Sequence, residues 1–183
     1  MKHDNRLKLH LACGPNIAEG WANIDILEGE KIKHHDLTEP LPYDDASVDA
    51  IFHEHFIEHL IKTDAENFLN DCYRVLKTDG AMRLGWPDLE KLLNAYVSKD
   101  HVYEDHALPY LEDHRFGAFW DEIIVDCLFD WDHRYAYTAG HMVRILERTG
   151  FKNVEIKNAG DSDHGIALDY RRDPATTYIE MIK

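Results

Sequence analysis

Residues 9–16 read Leu9-His10-Leu11-Ala12-Cys13-Gly14-Pro15-Asn16, an apolar strand breaking into a glycine turn, and Trp21-Ala22-Asn23-Ile24-Asp25 is a second short apolar stretch closed by a carboxylate. A strand, a tight turn and an acid at the end of the next strand are the parts with which an open α/β sheet holds an adenosine ligand. The bare backbone of the turn lies against one part of it and the acid accepts the ribose hydroxyls. Gly14 suits that turn because a side chain would hold the backbone off a ligand, and because such turns often need a positive φ. The stretch lacks the G-x-G-x-x-G spacing, which argues against a nicotinamide dinucleotide.

Outward from this stretch, short strand patterns alternate with helical ones as far as Gly150, the rhythm of a parallel sheet covered on both faces. Strands are expected at 7–11, 22–26, 48–52 and 81–84, with a weaker one at 31–34. Phe68, Leu69, Cys72, Val75 and Leu76 recur at helical spacing and predict a helix over 64–76, with Thr63 and Glu66 as its capping box. Met142, Ile145 and Leu146 predict another over 138–149, closed by Gly150, and 89–96 reads as helical. The runs 151–156, 166–170 and 177–182 follow with no helix between them, which fits antiparallel strands at the end of the sheet. The expectation is one domain over 1–183, with a lid or substrate insertion at about 87–137.

A chain of 183 residues buries roughly two thirds of its unfolded surface, so it needs no covalent staple. Three cysteines without a C-x-x-C pair read as free thiols. Lys plus Arg number 20 against 35 Asp plus Glu, a net charge of −15, and Arg171-Arg172 is the one adjacent basic pair, so nucleic acid is not the expected partner. No window offers a membrane span, and the polar start, Met1 to Arg6, has no secretory apolar core, so a cytoplasmic location is expected. The oligomeric state is not set by these features.

Taken in order, the pieces resemble the class I S-adenosylmethionine (SAM)-dependent methyltransferases, in particular small bacterial members opening with LxLGCGPN and GWxNxD. His10 to Asn16 corresponds to the first motif, Asn23-Ile24-Asp25 to the second, and Asp36-Leu37 with Leu41-Pro42-Tyr43 to the third. Ser47 to Ile51 with Glu58-His59-Leu60 corresponds to the fourth. Arg74-Val75-Leu76-Lys77 through Asp79-Gly80 is similar to the family's RVLKPGG, and Trp86-Pro87-Asp88 to the strand end that follows it. The resemblance implies a Rossmann-like α/β fold: a seven-stranded mostly parallel sheet with a C-terminal antiparallel strand and helices on both faces. It also implies SAM as cofactor and a small-molecule methyl acceptor. The implied cofactor site has His10, Ala12, Cys13, Gly14 and Asn16 along the methionine end and Asp25 at the ribose. Asp36 would meet the adenine amine with Leu37 on the base, and His53 and His55 would line the site after the fourth strand. His10 stands where the family has an acid, and Ala12 where it has its first glycine. Asp25 follows Gly14 by only 11 residues, so any first helix must be very short.

His53-Glu54-His55-Phe56-Ile57-Glu58-His59 also contains H-x-x-E-H, in which two histidines four apart on a helix grip zinc and the glutamate activates water. A zinc hydrolase built on His55, Glu58 and His59 is therefore an alternative. So is a non-catalytic SAM or nucleoside-binding module, suggested by His10 and Ala12. In the methyltransferase reading, Glu58 or His59 serves as the base for a substrate proton, or simply caps and packs a helix. His101, His106, His114, His133 and His141, mixed with Phe116, Phe119, Trp120, Trp131 and Tyr135, mark either an aromatic lid core or a substrate pocket.

Overall fold

The strand patterns assemble into one seven-stranded sheet in the order β3-β2-β1-β4-β5-β7-β6. In the computed structural model, which describes residues 6–101, 120–129, 132–171 and 174–183, β1 is Lys8–Leu11, β2 Ala22–Asp25, β3 Lys33–His34 and β4 Val48–Glu54. Then come β5 (Leu76–Pro87), β6 (Lys152–Lys157) and β7 (Thr176–Ile182). The first five pair in parallel, and β7 lies antiparallel to both β5 and β6. The chain runs from β1 outward to β3, then crosses to β4 on the other side of β1. That reversal opens a crevice at the carboxyl ends of β1 and β4, where open α/β sheets bind ligands.

Register decides which side chains share a face. His10 is opposite Asn23 and Phe52, Phe52 is opposite Arg83, and Arg83 is opposite Glu180, so these five form one row. Leu11, Ile24, His53, Leu84 and Ile179 form the row on the other face. The second face is the main core. Helices α1 (Lys62–Val75) and α4 (Ala139–Thr149) bury Phe68, Leu69, Cys72, Met142, Ile145 and Leu146 against it. Each such side chain removed from water contributes about 1.5–3 kcal/mol before entropy is counted.

The two helices start differently. In α4 Gly150 ends the helix at φ +116°, as the sequence predicts, and the Thr138 hydroxyl accepts from the His141 amide at its start. In α1 the expected capping box does not form: the helix begins at Lys62 behind Ile61, with no side-chain cap, and Thr63 already lies inside it. The bond from the Ala65 amide to the Ile61 carbonyl begins the ladder before Thr63 can act as a cap.

The first face is covered by the connection between β6 and β7. Ile166 packs with Ala50 and Ala81, Tyr170 lies on His10, and Asp169 binds Arg83. The strand expected at 166–170 is absent, because this segment spends its polar groups on side chains of the sheet instead of on a neighbouring strand. The β1 to β2 connection holds no helix at all. Asn23 ties its turns together, accepting from the Ala18 amide at 2.9 Å and donating to the carbonyls of Ala18 and Trp21.

Helix α2 (Leu89–Ser98) packs on α3 (Trp120–Phe129) through Leu92, Ala95, Trp120 and Ile123. Residues 102–119 and 130–131 of the expected insertion, including His106, His114, Phe116, Phe119 and Trp131, lie outside the described residues. No described helix is long and apolar enough to cross a membrane. The three cysteines are free thiols.

Candidate functional site

At the carboxyl ends of β1 and β2 the turn and the acid meet. The Gly14 amide donates to Asp25 Oδ2 at 2.7 Å and the Leu27 amide to Oδ1 at 2.9 Å. The turn itself closes through the Asn16 amide on the Cys13 carbonyl at 3.0 Å. Ala12 and Gly14 both hold positive φ, +50° and +53°. A Cβ placed on Gly14 would find no atom within 4 Å, so this side of the turn is open space. Each Asp25 oxygen has a second lone pair, so the carboxylate can still accept hydroxyl donors while holding the turn.

Asp36 follows β3 and is exposed. The Thr38 amide and hydroxyl both bond its Oδ1, at 2.9 and 2.7 Å, and hold the carboxyl below its usual range. Both bonds fall on one oxygen, so Oδ2 is left for a further donor such as an exocyclic amine. Leu37, expected against the base, is buried and belongs to the main core cluster. Asn16 is exposed on the turn.

His10 does not imitate the acid it replaces. Its Nδ1 lies 3.2 Å from Asn23 Oδ1, which only accepts, so the proton sits on Nδ1. Tyr170 stacks on the ring at 5.4 Å and 20°, and burial pushes the imidazole down to about 4. Burial, with the Asp25 charge second, lifts the Cys13 thiol to about 11, so it is no nucleophile at neutral pH.

His53 was expected to line the ligand, and register puts it on the other face. It is 0% exposed, packed edge-on to Phe56 and Phe68 at 6.1 and 5.2 Å, and neither ring nitrogen has a partner. Burial drives it down to about 3. The residue that sequence reasoning missed is its neighbour Glu54, which accepts from the amides of Tyr170 and Arg171 at 3.0 and 2.9 Å and from the Tyr178 hydroxyl. Desolvation raises its carboxyl in spite of these bonds. A carboxylate closing an apolar strand was the available signal, but its partners lie 116 and 117 residues away.

His55 adopts φ +49° before the next turn, with Nε2 2.7 Å from the Thr176 hydroxyl and Nδ1 3.5 Å from Glu58 Oε1. Residues Ile57–His59 form a single 3-10 turn. His55 and His59 therefore do not stand one α-turn apart, and the H-x-x-E-H geometry expected of a zinc hydrolase is not built. Instead Glu58 and His59 meet His133, which sequence reasoning had left among the lid histidines. One ligand atom from each of the three lies within 4.8 Å of the others.

Residues 16–84 match the family model described as a methyltransferase domain, and the matched stretch contains Asp25, Asp36 and the β4 strand. Over that stretch the chain is similar to methyltransferase domains. The chain has the fold of a SAM-dependent methyltransferase from Archaeoglobus fulgidus, at 20% identity and TM-score 0.62 over 97% of this chain and 86% of that one. It also matches one from Mesorhizobium loti, at 15% identity and TM-score 0.55 over 97% and 91% of the two chains. No curated protein matches the sequence. Both neighbours are described as SAM-dependent, and the residues present here would fit such a cofactor: open space lies beside Gly14 and acceptor capacity remains on Asp25.

Proposed function

We propose that this chain is a methyltransferase that moves the methyl group of SAM to a small-molecule acceptor, with the cofactor in the crevice between the turn 12–16 and Asp25. The observation that carries the reading is the Gly14 amide to Asp25 bond at 2.7 Å, which makes turn and acid two walls of one crevice at the switch point of the sheet. When bound, SAM supplies a methyl group already activated on a positively charged sulfur.

The chain's own residues then bind and orient. Asp25 accepts the ribose hydroxyls, Asp36 Oδ2 accepts the adenine amine, and the backbone of Ala12 to Gly14 runs beside the methionine end. Aligning the acceptor with the sulfonium in a shielded pocket supplies most of the rate enhancement, so the base has a supporting role. Glu58 or His59, just beyond β4, takes the acceptor's proton where the acceptor carries one. The net charge of −15 supports a small neutral or cationic acceptor over a phosphate-rich polymer.

Calorimetry with SAM and with S-adenosylhomocysteine tests the cofactor assignment. Both ligands bind the wild type, and Asp25→Ala weakens SAM by about tenfold or more while remaining folded, the scale of lost charge-assisted hydrogen bonds. Failure of the wild type to bind either ligand overturns the reading. A panel of amines, phenols and carboxylic acids with labelled SAM then identifies the acceptor class, and label appearing only in added RNA or protein overturns the small-molecule assignment.

A further inference from the structure

We propose that Glu58, His59 and His133 form a binding site for a divalent cation of the zinc type, using none of the residues assigned to the cofactor crevice; with the ion bound, Glu58 and His59 are its ligands and no longer serve as the base. Their ligand atoms lie within 4.8 Å of one another. Two imidazoles and a carboxylate are the donor set that borderline cations such as Zn2+ prefer over Mg2+ or Ca2+. Bonds of about 2.0–2.2 Å in a tetrahedral site put ligand atoms about 3.4 Å apart, so closing on an ion takes side-chain rotations of about an ångström. The rings of His59 and His133, with centroids 4.9 Å apart, are inclined at 71° and not stacked, which suits convergence on a common point.

Independent of that convergence, the surroundings of His133 point to a ligand. Its Nδ1 lies 2.9 Å from the Cys127 carbonyl. A carbonyl only accepts, so the proton is on Nδ1 and Nε2 is the nitrogen through which this ring would bind a cation. An imidazole fixed through one nitrogen by a backbone carbonyl, with the other nitrogen turned to a cation, is how metal-binding histidines are usually held. The backbone preassembles the site as well. The Glu58 carbonyl accepts from the amides of Arg134 and Tyr135 at 2.7 and 3.1 Å, pinning the entry to α4 against the exit from β4 before any ion arrives. Glu58 is 1% exposed, and a carboxylate held at that depth gains from a cation beside it. Three protein ligands leave a fourth position for water or, if the proposed methyl transfer is correct, for an oxygen of the acceptor.

The test uses full-length protein stripped with a chelator, then titrated with Zn2+ by calorimetry and with Co2+ by visible absorption. The expected result is one saturable equivalent per chain, a tetrahedral Co2+ spectrum, and a melting temperature that rises with Zn2+. Glu58→Gln, His59→Ala and His133→Ala should each weaken binding by at least tenfold, and His133→Gln replaces the alanine variant if that one fails to fold. The Co2+ spectrum of the wild type stands as evidence even if no variant folds. Absence of saturable one-equivalent binding, an octahedral spectrum, or tight binding that survives all three substitutions overturns the site. SAM binding to the metal-free protein is measured in parallel and bears only on the cofactor assignment, so the two readings fail separately.

Discussion

Ala12 holds φ +50° at a position where the motif this turn resembles has glycine, so the turn keeps the glycine conformation and strains the alanine. The left-handed region costs a residue with a Cβ about 1–2 kcal/mol, offset in part by glycine's greater entropy loss on folding. Ala12→Gly should therefore stabilise the fold by up to about 1 kcal/mol in urea unfolding, and a clear loss of stability would show that the Ala12 methyl matters more than the strain. The two buried histidines set the acid response. His10 is pushed down to about 4 and His53 to about 3, both by burial, so as pH falls below the ordinary histidine value the unfolded chain takes up protons that the folded chain refuses. Stability is full above about pH 6.5 and falls progressively toward pH 3–4, which urea midpoints across that range measure. His53→Leu removes two unpartnered buried nitrogens, so it should raise stability at pH 7 by about 1 kcal/mol and flatten the acid loss. A steeper loss in the variant would contradict the burial argument.

Among the elements, α4 is the one whose boundaries depend on local chemistry. The Thr138 hydroxyl satisfies the His141 amide at the start, and Gly150 supplies φ +116° at the end, where an added Cβ would meet the Tyr73 ring at 3.0 Å. Thr138→Ala should cost about 1 kcal/mol, read from the urea midpoint, while Thr138→Ser should cost much less. Helix α1 has no comparable cap, so Thr63→Ala should change stability little, and a loss as large as that of Thr138→Ala would mean the capping box forms after all. The 3-10 turn Ile57–His59 has a different role: its Glu58 carbonyl, bonded to Arg134 and Tyr135, joins parts of the chain 76 and 77 residues apart.

On the scale of the whole molecule, Arg83 fastens the covering segment 158–171 to the sheet. It is 0% exposed and grips Asp169 through two bonds of 2.8 and 2.6 Å, reaches Glu180 at 3.4 Å, and donates to the carbonyls of Asp161 and Asn158. Arg83→Met leaves Asp169 and Glu180 as buried acids without that cation, and should destabilise by about 3–5 kcal/mol, with cleavage by a protease appearing first within 158–171. Unchanged stability would show that the segment is held by its apolar contacts alone.

The sequence by itself determined the sheet and its helical partners, the free thiols and the pairing of a Gly14 turn with Asp25. All of these depend on spacing between near neighbours, periods of two and 3.6 residues, and turn chemistry. Only the tertiary structure decided which face each strand residue takes, because a register choice sends His53 into the core while Glu54 holds Tyr170 and Arg171. It also decided that His133 and not His55 stands with Glu58 and His59, and that a loop in place of a strand covers His10. Those pairings join residues up to 160 positions apart, where no local pattern carries information, and they follow from how burial and hydrogen-bond satisfaction are met once the whole chain packs.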